Sequence, residues 1–348
     1  MAKKTQSARM APSIWNRTRL KSILSKMQGR RVLVVGDVGV DRYTIGAVER
    51  ISPEAPVPIV TVTEEKLKLG LAANVADNIQ ALGATALLTG VIGQDRSAQD
   101  FRALLEDAGI AASHLVMDRT RRTVLKERVV SDRQQLLRVD YENTHLMDPS
   151  VEKLLLKKVS GLLSQCDAVI LQDYAKGMSS RPFFQSVMKA AKGARKFVTV
   201  DPNSKTSVKF YSGAFLLTPN VREAENLSGV KIRDDASLLE AGQKIIKLAK
   251  LSNLVITRGK EGMALFKQGS KSISHIPTYA REVYDVSGAG DTVISVMTLA
   301  LASGATLEES AVLGNLAAGV EVGKRGTATV SRDEILLAMD FVDFSLMR

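Results

Sequence analysis

Short runs rich in Val, Ile and Leu alternate with longer segments of helical period from residue 31 onward, and this alternation constrains the fold more than any other feature. Residues 31–36 (RVLVVG) read as a buried strand, 74–82 as a helix, 86–92 as a strand and 98–108 as a helix. Residues 168–171, 197–200, 215–217 and 254–257 are four more short apolar runs, with helix-like stretches at 150–164, 236–250 and 306–322. A strand with no polar face must be covered on both sides. The pattern therefore predicts an α/β fold with a mostly parallel central sheet flanked by helices. Ligands of such sheets bind beyond the carboxyl ends of the strands, so chemistry is sought in the turns that follow these runs.

Two segments break the pattern. Residues 42–63 carry Pro53, Pro56 and Pro58 before an alternating Val57–Ile59–Thr61–Thr63 stretch, and residues 120–141 read as a hairpin turning at Ser131–Asp132. Both are expected to be antiparallel strands forming a small β-lid on a single domain, 31–348. No Ser/Gly/Pro-rich linker divides that domain.

The net charge of +11 looks like a nucleic-acid signal until it is located. Residues 1–31 hold nine Lys or Arg and no acid, leaving 39 basic against 37 acidic residues in everything that follows. A basic, acid-poor start suits a targeting segment or a nucleic-acid arm. Against that, Ile14, Leu20, Ile23, Leu24 and Met27 fall near helical spacing. The segment 1–30 is therefore expected to be a tail (1–12) and an amphipathic helix leaning on the domain, dispensable for activity, with nucleic acid not an expected partner. One Cys (Cys166) and three scattered His leave no disulfide framework and no zinc module. The longest apolar stretch, 293–302, is about half of a membrane span. A cytoplasmic, membrane-free protein is expected.

The most informative stretch is Asp285–Val286–Ser287–Gly288–Ala289–Gly290–Asp291–Thr292, followed by an apolar helical run. Small residues before a helix leave backbone N–H groups open to an anion, and the helix N-terminus favours negative charge. A carboxylate there should repel a phosphate. It makes sense if Asp291 takes the proton of an attacking hydroxyl while the amides hold a transferring phosphoryl group. An N-cap aspartate would explain it equally well. The segment is not a Walker A loop, whose nearest approach, 319–325, is one residue short and ends in Arg325. Nor does Gly36–Asp37–Val38–Gly39 provide a dinucleotide fingerprint.

Ser287–Thr292 with Asp285 resembles the C-terminal signature of the PfkB/ribokinase family of sugar kinases, and the Gly70–Asn74 turn its N-terminal signature. Closer still is the resemblance to bacterial D-glycero-β-D-manno-heptose-7-phosphate kinases, which serve ADP-heptose synthesis for lipopolysaccharide. It rests on GDVGVDRY (36–43), RISPEAPVP (50–58), QQLLR (134–138), DYAKG (173–177), TPN (218–220) and GTATV (326–330), and spans roughly 30–340.

The resemblance implies ATP-dependent phosphorylation of the anomeric hydroxyl of a heptose 7-phosphate. It makes Asp291 the base and Ser287, Gly288, Ala289 and Gly290 the anion hole. Asn220 and Glu223 would organise Mg²⁺ and the nucleotide phosphates, Thr257 and Gly259 would lie along the nucleotide, and Asn315 near adenine. Asp41, Gly70, Asn74 and Asp173 would contact the sugar. Arg128, Arg138 and Lys176 would meet the substrate's own phosphate, which needs a basic partner; Arg121 and Arg122 would be solvated lid charges. A homodimer through the lid strands and a separate nucleotidyltransferase in the pathway are also implied. The chain departs from the family in Leu71, where a second glycine is usual, and in Asn203, where a lysine is usual. These departures motivate two rivals: another sugar kinase of the family, or a binding protein without catalysis. Leu71 is expected to point into the core, with its turn rebuilt.

Overall fold

The computed structural model describes residues 16–131, 134–280, 283–324 and 326–342. Ile14, the tail 1–12, Asp132 and Arg325 lie outside them. The chain opens with helix α1 (Arg17–Met27) and strand β1 (Arg31–Gly36), then runs up and back through the long strands β2 (Val38–Ile51) and β3 (Pro58–Leu71). Helix α2 (Ala72–Ala81), strands β4 (Thr85–Thr89) and β5 (Val91–Ile92), helix α3 (Arg96–Asp107) and strand β6 (Val116–Met117) follow. A hairpin of β7 (Val124–Ser131) and β8 (Gln134–Tyr141) leads into α4 (Pro149–Leu162), β9 (Ala168–Gln172), α5 (Arg181–Gly193) and β10 (Val198–Asp201). The rest comprises β11 (Leu216–Leu217), α6 (Val221–Ser228), α7 (Asp235–Ala249), β12 (Asn253–Thr257), β13 (Met263–Lys267), β14 (Ser274–Ile276), α8 (Ala289–Ala302), α9 (Leu307–Glu321) and α10 (Arg332–Asp340).

The main sheet has the order β14-β13-β12-β11-β10-β9-β1-β4. Its strands run parallel from β4 to β12; beyond β12 come β13 and β14, not anticipated from the sequence, each paired antiparallel with the strand before it. Alternate residues feed two cores. Val32, Val34, Ile170 and Val255 face α1, α2, α3, α8, α9 and α10, while Leu33, Val35, Val169, Leu171 and Ile256 face α4, α5, α6 and α7. Helix α8 is buried on every side from Asp291 to Ala300, and its polar residues Thr292, Ser295 and Thr298 are buried and hydrogen-bonded within the fold. Leu20, Ile23, Leu24 and Met27 of α1 are buried in the same core. No helix among the described residues is long and apolar enough to cross a membrane.

The lid is a separate four-stranded sheet in the order β3-β2-β7-β8. It is larger than the sequence suggests, because β2 starts at Val38, two residues beyond β1, and β3 continues to Leu71. Each hairpin is antiparallel as expected, but the two join through β2 and β7, which run parallel. Proline placement misled the sequence reading: Pro53, Pro56 and Pro58 mark only the distal turn, and the strands extend well below it toward the body.

Candidate active site

The carboxyl ends of the parallel strands converge where α8 begins. Gly288, with φ of +100°, caps α8 and turns the chain into it. Asp291 is therefore the third residue of the helix and not its N-cap, which removes the capping explanation for its presence. Its carboxylate is buried and fully engaged: Oδ2 accepts from Asn74 Nδ2 at 2.7 Å, and Oδ1 accepts from Gln172 Nε2 at 2.7 Å and from the Tyr174 hydroxyl at 2.6 Å. Burial pushes the Asp291 carboxyl up to about 6, against the pull of those three donors. Such a group is ionised at neutral pH yet basic enough to take a proton. Ser287, Gly288, Ala289 and Gly290 are brought together with it, and the Asp285 carboxylate accepts the Ser287 N–H at 2.9 Å.

Asn220 caps α6 in a reciprocal box: its Oδ1 accepts the Glu223 N–H at 3.0 Å, and Glu223 Oε2 accepts the Asn220 N–H at 2.9 Å. Burial raises the Glu223 carboxyl. Asp201, at the end of β10, is raised well above the carboxylate range by burial, then by Glu223 and Asp291. Thr257 ends β12, bridged to Asn220, and Gly259 follows it with φ of +56°. Asn315 on α9 is buried and donates to the Pro277 carbonyl at 2.8 Å.

From the lid, Asp41 Oδ1 accepts from Arg128 Nη1 at 2.8 Å, and the Arg128 guanidinium lies 5.3 Å from the centre of the Tyr43 ring. Gly70 packs directly against Asp41: a β-carbon there would lie 3.2 Å from its carboxyl carbon. Lys176 pairs with Glu142 at 2.6 Å. Arg138 stands half exposed, held by both oxygens of Asp140 at 2.9 and 3.0 Å, so its engagement is within its own strand.

Asp173 folds the 173–179 turn: Oδ1 accepts from the Ala175 N–H and from Ser179, and Oδ2 from the Tyr211 hydroxyl at 2.7 Å. Two expectations are corrected. Arg121 is not a solvated lid charge; it is buried against Asp118 at 3.0 Å and donates to the Lys176 and His145 carbonyls. Leu71 is buried, but it lies outside both core clusters, and its turn is not rebuilt: φ is +58° and ψ −136°, backbone that favours glycine.

Sequence reasoning missed Gln172, Tyr174, Asp201 and Lys126. Gln172 and Asp201 each end an apolar run at the carboxyl edge of a parallel strand, which is where the binding rule for such sheets points. Lys126 lies two residues before Arg128 on β7, hence on the same face, with Nζ 5.6 Å from the centre of the Tyr174 ring. Burial lowers its ammonium below the usual lysine range.

Residues 30–334 match the model of the pfkB family of carbohydrate kinases. The chain belongs to that family. Its relatives include the bifunctional protein HldE of Hahella chejuensis, 44% identical over 91% of this chain and 65% of that protein, and HldE of Geobacter sulfurreducens, 41% identical over 93% and 66%. The chain thus spans just under two thirds of the length of these curated relatives. Among solved structures, phosphofructokinase-2 from Escherichia coli in complex with substrates and products superposes with a TM-score of 0.74 at 20% identity, covering 91% of this chain and 99% of that one. Arabidopsis thaliana ribokinase complexed with ribose and ATP gives 0.70 at 20% identity, over 90% and 100%. These two share the fold. The family is one of carbohydrate kinases.

Proposed function

We propose that this protein uses ATP to phosphorylate the anomeric hydroxyl of D-glycero-β-D-manno-heptose 7-phosphate, giving the 1,7-bisphosphate. The single observation that carries the reading is the Asp291 carboxylate, buried and held by three donors, in the first turn of α8 directly beyond Gly288. In this reading Asp291 accepts the proton of the attacking hydroxyl. Asn74, Gln172 and Tyr174 fix its two oxygens, and the amides from Ser287 to Gly290 receive the transferring phosphoryl group. The Tyr174 hydroxyl stays protonated, since burial and the neighbouring Asp291 raise it.

Asp41, Gly70 and Asn74 orient the sugar hydroxyls. Arg128, with Lys126 on the same strand face and Lys176 opposite, offers positive charge to the substrate's own phosphate. Thr257, Gly259 and Asn315 line the nucleotide side. Asp201 is raised by burial and then by the nearby Glu223, and Glu223 is raised by its own burial, which suits a site completed by a cation. No group of three His, Cys, Asp or Glu that could hold a metal occurs among the described residues. Mg²⁺ would therefore be held by Glu223 and the nucleotide phosphates, neutralising phosphate charge. The HldE names attached to relatives of about 40% identity support the heptose assignment over other sugars. Those relatives are called bifunctional and extend beyond the matched region, so they lend no support to a nucleotidyltransferase on a separate chain. A homodimer through the lid strands remains part of the proposal.

The test is an ATP-consumption assay over pentose, hexose and heptose phosphates. Heptose 7-phosphate should give the highest kcat/KM. Preference for another sugar phosphate would replace the substrate but keep the chemistry, and binding without turnover of any would favour a sugar-phosphate sensor.

A further inference from the structure

Glu321 ends α9 and is completely buried, and among the described residues no side chain bonds either carboxyl oxygen, the Ala328 N–H being the one donor close to it. It borders the phosphate loop. A β-carbon built on Gly288 would lie 3.2 Å from Glu321 Oε1, 3.2 Å from Asn74 Nδ2 and 3.4 Å from Thr327 Cγ2. The carboxyl group and the amide that holds Asp291 therefore crowd the same loop residue. A charge compensated by so little in that position would be costly, and such a group keeps its proton instead.

The surrounding charges agree. Asp285, in the loop before α8, and Asp291, on α8, add negative potential, while Lys324 just beyond α9 and the Ala328 N–H oppose it. Lys324 is already engaged by Glu334 at 2.5 Å and the Thr329 carbonyl at 2.8 Å. Lys68 on β3 is turned to the Thr327 carbonyl. Burial first, then the two aspartates, push the Glu321 carboxyl up to about 8.

We propose that Glu321 is a positioning residue for phosphoryl transfer, supporting the phosphate loop only as the neutral acid. Its carboxylate would set a negative charge against the amides that must receive the phosphoryl group. The inference rests on the phosphate-loop reading above. With Asp291 as base, it predicts a bell-shaped rate profile, Asp291 setting the acid limb and Glu321 the alkaline limb.

The test is the pH dependence of kcat and KM for the full chain with ATP and heptose 7-phosphate, from pH 5 to 9.5. Wild-type kcat should fall about tenfold per pH unit above about 8. Glu321→Gln should remove that fall while keeping kcat at pH 7 within about threefold. Glu321→Met, of similar size and with no proton to lose, should also lack the fall, and it keeps the test open should the amide misfold. An alkaline limb that persists in both variants overturns the proposal. Thermal melting supplies a readout that needs no substrate. An acid raised from 4.5 unfolded to about 8 folded favours folding while it holds its proton. That stability is full below 4.5 and lost as pH rises to 8. Relative to wild type, Glu321→Gln should therefore gain in Tm between about pH 5 and 8. A constant difference in Tm overturns the proposal even if heptose 7-phosphate is not the substrate, whereas a Tm gain without heptose turnover would leave only the substrate assignment refuted.

Discussion

In the body, strands β9, β10 and β12 are buried on both faces and contribute to the site with their last residues, Gln172, Asp201 and Thr257. In the lid, β2 and β7 present Asp41, Lys126 and Arg128 from mid-strand, by the alternation of an exposed, one-sided sheet. The body thus places chemistry at edges fixed by a core, while the lid places charge on a face fixed by register. Misplacing a body residue should damage the chemical step. Misplacing a lid residue should mainly damage recognition.

The severest break comes from the body. Deleting residues 1–30 removes Leu20, Ile23, Leu24 and Met27 from the core. At about 1.5–3 kcal/mol for each fully buried side chain, the loss rivals the ~5–15 kcal/mol that holds a domain folded. Circular-dichroism melting should show no cooperative transition for that deletion. The sequence expectation that the whole segment is dispensable fails on those four side chains.

Next is Asp291→Asn. Turnover should fall by about two or more orders of magnitude, with ATP and sugar-phosphate affinity by calorimetry nearly unchanged. Near-normal turnover would remove the base assignment. In the unmodified protein kcat should fall as pH drops through about 6, because the raised Asp291 carboxyl then takes up the proton it needs to be without.

Arg128→Ala should act in the opposite sense, raising KM for the sugar phosphate about tenfold while kcat stays within about threefold. A change in kcat alone would erase the distinction between lid and body. The smallest effect is expected at the junction of the two. Leu71→Gly relieves backbone strain of order 1–3 kcal/mol but gives up a buried side chain, and kcat/KM for heptose 7-phosphate should change less than tenfold. A hundredfold gain would mean that Leu71 has redirected the specificity.

The same contrast explains what was legible in the sequence. Buried parallel strands announce themselves as unbroken apolar runs, so β1, β9, β10 and β12 were located to within a residue or two. The phosphate loop was readable because glycines and an aspartate before an apolar helix have few other uses. The lid was located, but its limits were not, since a strand with one wet face blends into its turns. Asp173 and Arg121 show why roles are harder to read than positions. A carboxylate in a shared motif gives no sign in sequence of the bonds it accepts, here from Tyr211 and Ser179. Gln172 was overlooked for the opposite reason: an amide carries no charge and completes no familiar pattern.

The parallel pairing of β2 with β7 also governs the order in which the molecule can be assembled. Asp41 and Arg128 are 87 residues apart in the chain, and α2, β4 and α3 lie between them. Contacts of that separation are slow to form because the intervening chain must be ordered first. During synthesis β2 and β3 emerge long before the strand that pairs with them, leaving an unpaired β2 edge open to other chains until β7 arrives. The feature that brings Arg128 to Asp41 therefore leaves the newborn lid with an open strand edge until β7 has been made.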